Sequence, residues 1–224
     1  MFSDAGGLAH FIDHTLVRSD ATLDDLSAAC EDAKKYGFSS VVVNSSNVAR
    51  ARELLAGSLV KVCAVVGFPF GANTTTVKIV EAMESVKNGA SELDFVVNLG
   101  MVKSGRYDAV EIDIKNIIAM TPQKVHKVIL ETGSLTEAEI IRLCEISMRA
   151  GAEFVKTSTG YGLRGATVED VRLIRRIVGS VCRVKASGGI RDLAAVIAMI
   201  EAGAERIGTS AGPAIMQEYL KKQS

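Results

Sequence analysis

At 224 residues, 48% of them apolar and 23% charged, the chain is long enough to bury a full core as one domain. Its 26 Lys and Arg balance 26 Asp and Glu, so no net field draws it to nucleic acid or to an anionic membrane surface, and a small-molecule partner is expected. Residues 1–7 lack a basic stretch followed by an apolar run, and no apolar stretch approaches the ~20 residues of a membrane span, which predicts a cytoplasmic protein.

In chain order, short β-branched runs alternate eight times with longer helical patterns. The strand candidates cover residues 10–16, 39–44, 61–66, 92–98, 125–131, 153–158, 182–187 and 205–209. The loop after the first, Val17-Arg18-Ser19-Asp20, has no glycine fingerprint of a doubly wound sheet. Thr22 then starts a helix as N-cap with Asp25 three residues on; Leu23, Leu26, Cys30 and Ala33 mark its inner face, and Gly37 stands beyond its end. Val41-Val42-Val43 and Val62-Cys63-Ala64-Val65-Val66 are apolar on both sides, as parallel strands covered on both faces must be. Thr136 with Glu139 forms a capping-box pattern ahead of Gly151. Thr167 with Asp170, then Val168, Val171, Ile174 and Ile177 before Gly179, repeats the arrangement, and residues 192–203 do so again. Strand centres recur roughly every 22 to 35 residues, about one βα unit. Eight units predict a single (β/α)8 TIM barrel over residues 1–224, with three prolines and no linker.

In such a barrel the site lies at the C-terminal strand ends, so charges within apolar strands are the ones to weigh. Three stand out: Asp94 in the fourth strand, Lys156 in the sixth and Lys185 in the seventh. A structural ion pair explains any one of them. Two lysines and one carboxylate leave an ammonium over in a region that disfavours charge. A free lysine of pKa about 10.4 is almost wholly protonated at neutral pH, and a second ammonium nearby lowers that value and yields a nucleophilic amine. Asp94 is the candidate for moving protons, directly or through water. Thr159-Gly160, Gly188-Gly189 and Gly208-Thr209-Ser210 follow or end strands six, seven and eight, where bare N–H groups bind phosphate in this fold; tight turns are the bland alternative. The three histidines, His10, His14 and His126, show no metal-binding spacing, although His10 and His14 could share a strand face. Cys30, Cys63, Cys144 and Cys182 contain no C-x-x-C pair and read as buried reduced thiols. Neither metal nor cofactor is expected.

The strings Phe154-Val155-Lys156-Thr157-Ser158-Thr159-Gly160, Val184-Lys185-Ala186-Ser187-Gly188-Gly189-Ile190-Arg191, Val66-Gly67-Phe68-Pro69, Gly71-Ala72-Asn73-Thr74, Ile12-Asp13-His14-Thr15-Leu16 and Glu92-Leu93-Asp94 resemble those of the deoxyribose-phosphate aldolases, a class I aldolase family. The resemblance runs from about Ile12 to Ser210. It implies reversible cleavage of 2-deoxy-D-ribose 5-phosphate to D-glyceraldehyde 3-phosphate and acetaldehyde. It also implies Lys156 as Schiff-base lysine, Lys185 as the lysine that perturbs it, Asp94 as proton relay and Asp13 as a carboxylate near Lys185. Gly160, Gly188, Gly189, Gly208 and Ser210 fall where that family holds phosphate. Val42 and Ser45 depart from a cysteine and a proline common there. The end at Lys221-Lys222-Gln223-Ser224, with Tyr219 inside the last helix, offers no terminal tyrosine for proton transfer. A sugar-phosphate isomerase, needing no covalent lysine, and a sugar-phosphate-binding barrel are the competing readings; a homo-oligomer is compatible with all three.

Overall fold

A computed structural model of the chain describes residues 5–223; the outermost parts of the expected domain, residues 1–4 and 224, lie outside the described residues. The order is α1 (Ala5–Ala9), β1 (Ile12–Leu16), α2 (Leu23–Tyr36), β2 (Ser40–Val43), α3 (Val48–Leu54), β3 (Lys61–Val66), α4 (Thr75–Lys87), β4 (Glu92–Val96), α5 (Leu99–Lys103), α6 (Tyr107–Met120), β5 (Val125–Ile129), α7 (Glu137–Ala150), β6 (Phe154–Lys156), α8 (Val168–Val178), β7 (Arg183–Ser187), α9 (Leu193–Glu201), β8 (Arg206–Thr209) and α10 (Gly212–Gln223). The eight strands pair in parallel in chain order and close when β1 meets β8, with Asp13 opposite both Ser40 and Gly208. This is the expected (β/α)8 barrel.

The caps behave as their residues dictate. Thr22 and Asp25 exchange both bonds of a capping box, as do Thr136 and Glu139, and Gly37 and Gly151 close those helices in the left-handed conformation. Thr167 makes only half of the box. Its hydroxyl accepts from Asp170 N–H at 3.1 Å, while the Asp170 carboxylate is turned to Arg164 and Thr132. Leu23, expected on the inner face of α2, is 65% exposed, because the first residue of a helix lies ahead of the stripe that Leu26, Cys30 and Ala33 bury. His10 falls in the turn before β1, its ring against the Gly6 carbonyl, so it shares no strand face with His14. Strands four to six end two residues earlier than their apolar runs suggest, since those runs continue into the loops that frame the barrel mouth.

Parity divides the strands. Val41, Val43, Val62, Ala64, Val66, Leu93, Phe95, Val128, Val155, Val184 and Ile207 belong to the large apolar core shared with the helices. Val42, Cys63 and Val65 form a separate cluster with Val17 and Phe68. Tyr219 is buried within α10.

Candidate active site

The charges on the strands turn into the barrel and meet at Asp94. In a parallel pair, residues level in the register project to the same face, and Lys156 is level with Lys185, as Asp94 is with Lys127. Lys156 Nζ and Lys185 Nζ each donate to the same oxygen, Asp94 Oδ2, at 2.7 Å, so the two nitrogens lie no more than two hydrogen-bond lengths apart. Lys127 Nζ donates to Asp94 Oδ1 at 2.8 Å and approaches Glu92 Oε2 at 2.6 Å. Asp13 receives Lys185 Nζ at 2.5 Å, Arg206 at 2.7 Å and the Ser40 hydroxyl at 2.5 Å. Cys63, a free buried thiol like the other three cysteines, directs its Sγ to Asp94 Oδ1 at 3.0 Å.

The network therefore holds four cationic groups, Lys127, Lys156, Lys185 and Arg206, against three carboxylates, Asp13, Glu92 and Asp94. The surplus cation inferred from two lysines and one carboxylate persists, but within a larger group. Lys127, Glu92 and Arg206 escape sequence reasoning because strand charges also serve ordinary ion pairs, and Ser40 because a lone serine at the start of a strand carries no charge to notice. Their signal is parity: Glu92 stands two residues before Asp94 and Arg206 two before Gly208, on the same inward face.

Burial and charge separate the lysines. Burial pulls the Lys156 pKa below the ordinary lysine value, Asp94 opposes that pull, and the Lys185 ammonium adds to it. Desolvation thus outweighs the second ammonium, which the sequence suggested as the main cause. For Lys185 burial acts in the same downward direction, but Asp13 and Asp94 overcome it and hold the pKa above the usual range. Burial would raise Asp94, yet Lys127, Lys156 and Lys185 keep it a carboxylate far below its ordinary value. The result is one dischargeable amine beside a fixed cation and a fixed anion.

Above this network opens a cavity of about 470 Å³, and Lys156 lines it whereas Lys127, Lys185 and Asp94 do not. All five glycine and serine positions expected to hold phosphate, Gly160, Gly188, Gly189, Gly208 and Ser210, line it as well. Gly188 has φ +89°, and a Cβ there would stand 2.9 Å from Gly165 Cα, so only glycine lets the loops after β6 and β7 meet. The N–H groups of Gly160, Gly188 and Gly189 make no hydrogen bond among the described residues. Gly208 differs: it lies within β8, where a Cβ would meet Ser187 Cβ at 2.8 Å and Lys185 Cε at 3.2 Å. It makes room for the lysine below as well as lining the cavity. Arg18 and Arg191 add positive charge to the wall, and Phe68 meets Tyr161 edge to face across it, ring centroids 5.6 Å apart. Among the described residues, no group of three His, Cys, Asp or Glu side chains is placed to hold a metal ion.

Residues 8–218 match the model of the DeoC/LacD family aldolases. The chain is 53% identical to a deoxyribose-phosphate aldolase of Caldanaerobacter subterraneus subsp. tengcongensis over 96% of its own length and 94% of the relative's. It superposes on the crystal structure of a putative deoxyribose-phosphate aldolase from Coccidioides immitis with a TM-score of 0.95 at 42% identity, covering 98% of this chain and 88% of that one. The deoxyribose phosphate aldolase of Aeropyrum pernix, described as a unique tetrameric structure, matches with a TM-score of 0.92 at 32% identity over 99% of this chain and 94% of that one.

Proposed function

The chain belongs to the DeoC/LacD aldolase family, and from that membership we propose that it cleaves 2-deoxy-D-ribose 5-phosphate reversibly to D-glyceraldehyde 3-phosphate and acetaldehyde through a Schiff base on Lys156. One observation carries the choice of lysine: of the three lysines that touch Asp94, only Lys156 also lines the cavity.

The neutral Lys156 amine adds to the C1 aldehyde of the open-chain sugar, and loss of water leaves an iminium. Removal of the C3 hydroxyl proton then breaks the C2–C3 bond, whose electrons pass into the iminium as an enamine, and glyceraldehyde 3-phosphate departs. Protonation at C2 and hydrolysis release acetaldehyde and restore the amine. Asp94, directly or through water, passes the protons. The cations that hold it ionised make it a relay rather than a store of protons. Lys185 stays charged beside the imine, with Asp13 as its counter-ion. Gly160, Gly188, Gly189, Gly208 and Ser210 receive the phosphate, chiefly through backbone N–H groups, and the positive wall at Arg18 and Arg191 suits the anion.

The reading extends to one catalytic domain over residues 1–224, active in the cytoplasm, where the four free thiols stay reduced. Assembly into a homo-oligomer draws support from the tetramer of the Aeropyrum relative and from Val77, Val80 and Met83, exposed along α4.

Borohydride reduction in the presence of deoxyribose 5-phosphate is the test. The label is expected on a peptide containing Lys156 and absent from Lys156→Ala. Lys185→Leu removes an ammonium that lowers the Lys156 pKa, so slow labelling is expected with the pH optimum moved upward. A label on Lys185, or an unlabelled protein that still turns over substrate, removes the assignment.

A further inference from the structure

Glu131 ends the run that follows β5 and is 97% buried, yet no cation pairs with it among the described residues. Its backbone stands in the left-handed region, φ 61° and ψ 59°, which strains a residue with a Cβ and does not strain glycine. Its side chain therefore does something that offsets the strain. Glu131 Oε2 accepts two bonds from a single residue of the loop after β6: the Thr159 N–H at 3.1 Å and the Thr159 hydroxyl. That hydroxyl, its proton committed to Glu131, accepts the Tyr161 N–H at 3.0 Å. Glu131 Oε1 makes no hydrogen bond among the described residues and lies under Gly162, whose Cβ position would be 2.6 Å away.

The carboxylate thus fixes Thr159, Tyr161 and the underside of Gly162, and the one residue it leaves between them is Gly160. Gly160 lines the cavity with its N–H unpaired among the described residues and touches Gly188 of the next loop, where a Cβ on Gly188 would lie 3.6 Å from Gly160 N. We propose that Glu131 is a positioning residue that holds the turn of Thr159, Gly160 and Tyr161 so that the Gly160 N–H faces the phosphate of the substrate. The inference rests on the reading of the cavity as a sugar-phosphate site.

Two substitutions separate this role from a structural one. Both bonds converge on one oxygen, so the amide oxygen of Glu131→Gln can accept both. Glu131→Gly removes the acceptor while relieving the backbone strain, and its thermal unfolding transition is to be recorded beside the kinetics. KM and kcat for deoxyribose 5-phosphate and for unphosphorylated deoxyribose are to be measured in each, with inhibition by inorganic phosphate. In Glu131→Gly we expect KM for the phosphorylated sugar, and the inhibition constant of phosphate, to rise tenfold or more. The KM for deoxyribose and both kcat values should stay within about threefold, and Glu131→Gln should match the wild type within the same margin. An equal rise in KM for both sugars, an unchanged KM for the phosphorylated one, or a glutamine variant as impaired as the glycine variant would overturn the proposal. A wild-type enzyme that does not prefer the phosphorylated sugar and is not inhibited by phosphate would instead sink the phosphate reading, and this inference with it.

Discussion

Asp94 makes opposite demands on Lys156. As an anion at 2.7 Å it favours the ammonium and so opposes nucleophilic attack, yet among the described residues it is the only carboxylate within reach of that amine to carry protons afterwards. Replacing it by asparagine separates the two effects. Without the anion, the main opposition to burial and Lys185 is gone, so the Lys156 pKa falls further and the acid limb of imine formation moves to lower pH. Turnover loses its proton carrier and is expected to drop by about 10²- to 10⁴-fold. Borohydride trapping of acetaldehyde by Asp94→Asn at pH 5 to 7, set beside its kcat, checks both halves; a variant that neither traps nor turns over would mean that Asp94 only shapes the pocket. Lys156, Lys185 and Asp94 are legible in sequence because each interrupts an apolar run with a charge. Asp13 comes only from resemblance. Lys127 interrupts its own run beside His126, where a polar neighbour masks the contrast, and Glu131 looks like any acidic residue at the end of a strand.

For the strands, the decisive feature is which face each residue takes, and that follows from period two once a strand is placed. Bounds matter less: β6 is three residues long against the six expected and ends at Lys156 rather than Ser158, yet Lys156 points inward, level with Lys185. The glycine of β8 shows what periodicity does not reveal. A glycine near a strand end reads as part of a phosphate loop, but the space that Gly208 leaves is filled in part by the Lys185 side chain, and that packing across the barrel exists only after closure. Gly208→Ala is therefore expected to push Lys185 off Asp94 and to lower kcat at least tenfold for deoxyribose 5-phosphate and deoxyribose alike. A selective rise in KM for the phosphorylated sugar, with kcat retained, would return Gly208 to a purely phosphate-binding role.

The whole barrel encloses charge where most barrels of this kind pack branched apolar side chains, and the balance of four cations against three carboxylates sets how its stability follows pH. Asp13 and Asp94 have folded pKa values below their unfolded ones, so the stability they confer is full above about pH 5 and is lost as pH falls below about 4. Lys127 and Lys185 have raised values, and their contribution is present below about pH 10 and lost above it. Lys156 runs the other way. Its folded pKa is depressed, so between the folded and unfolded values the unfolded chain binds the extra proton, and stability rises with pH through that window. Below the window the fold carries a buried ammonium that it would do better without. Lys156→Met keeps the volume, leaves three cations with three carboxylates, and leaves Asp94 paired with Lys127 and Lys185. Replacing a buried ionic group in this way stabilises by about 1 kcal/mol, which for a chain of this size raises Tm by about 2–4 °C. The gain should be largest near pH 6 and shrink as pH rises and the wild-type lysine gives up its proton. Thermal unfolding of both proteins from pH 5 to 10 checks this; a variant less stable than the wild type at pH 6 would show that the ammonium of Lys156 holds the barrel together rather than burdening it.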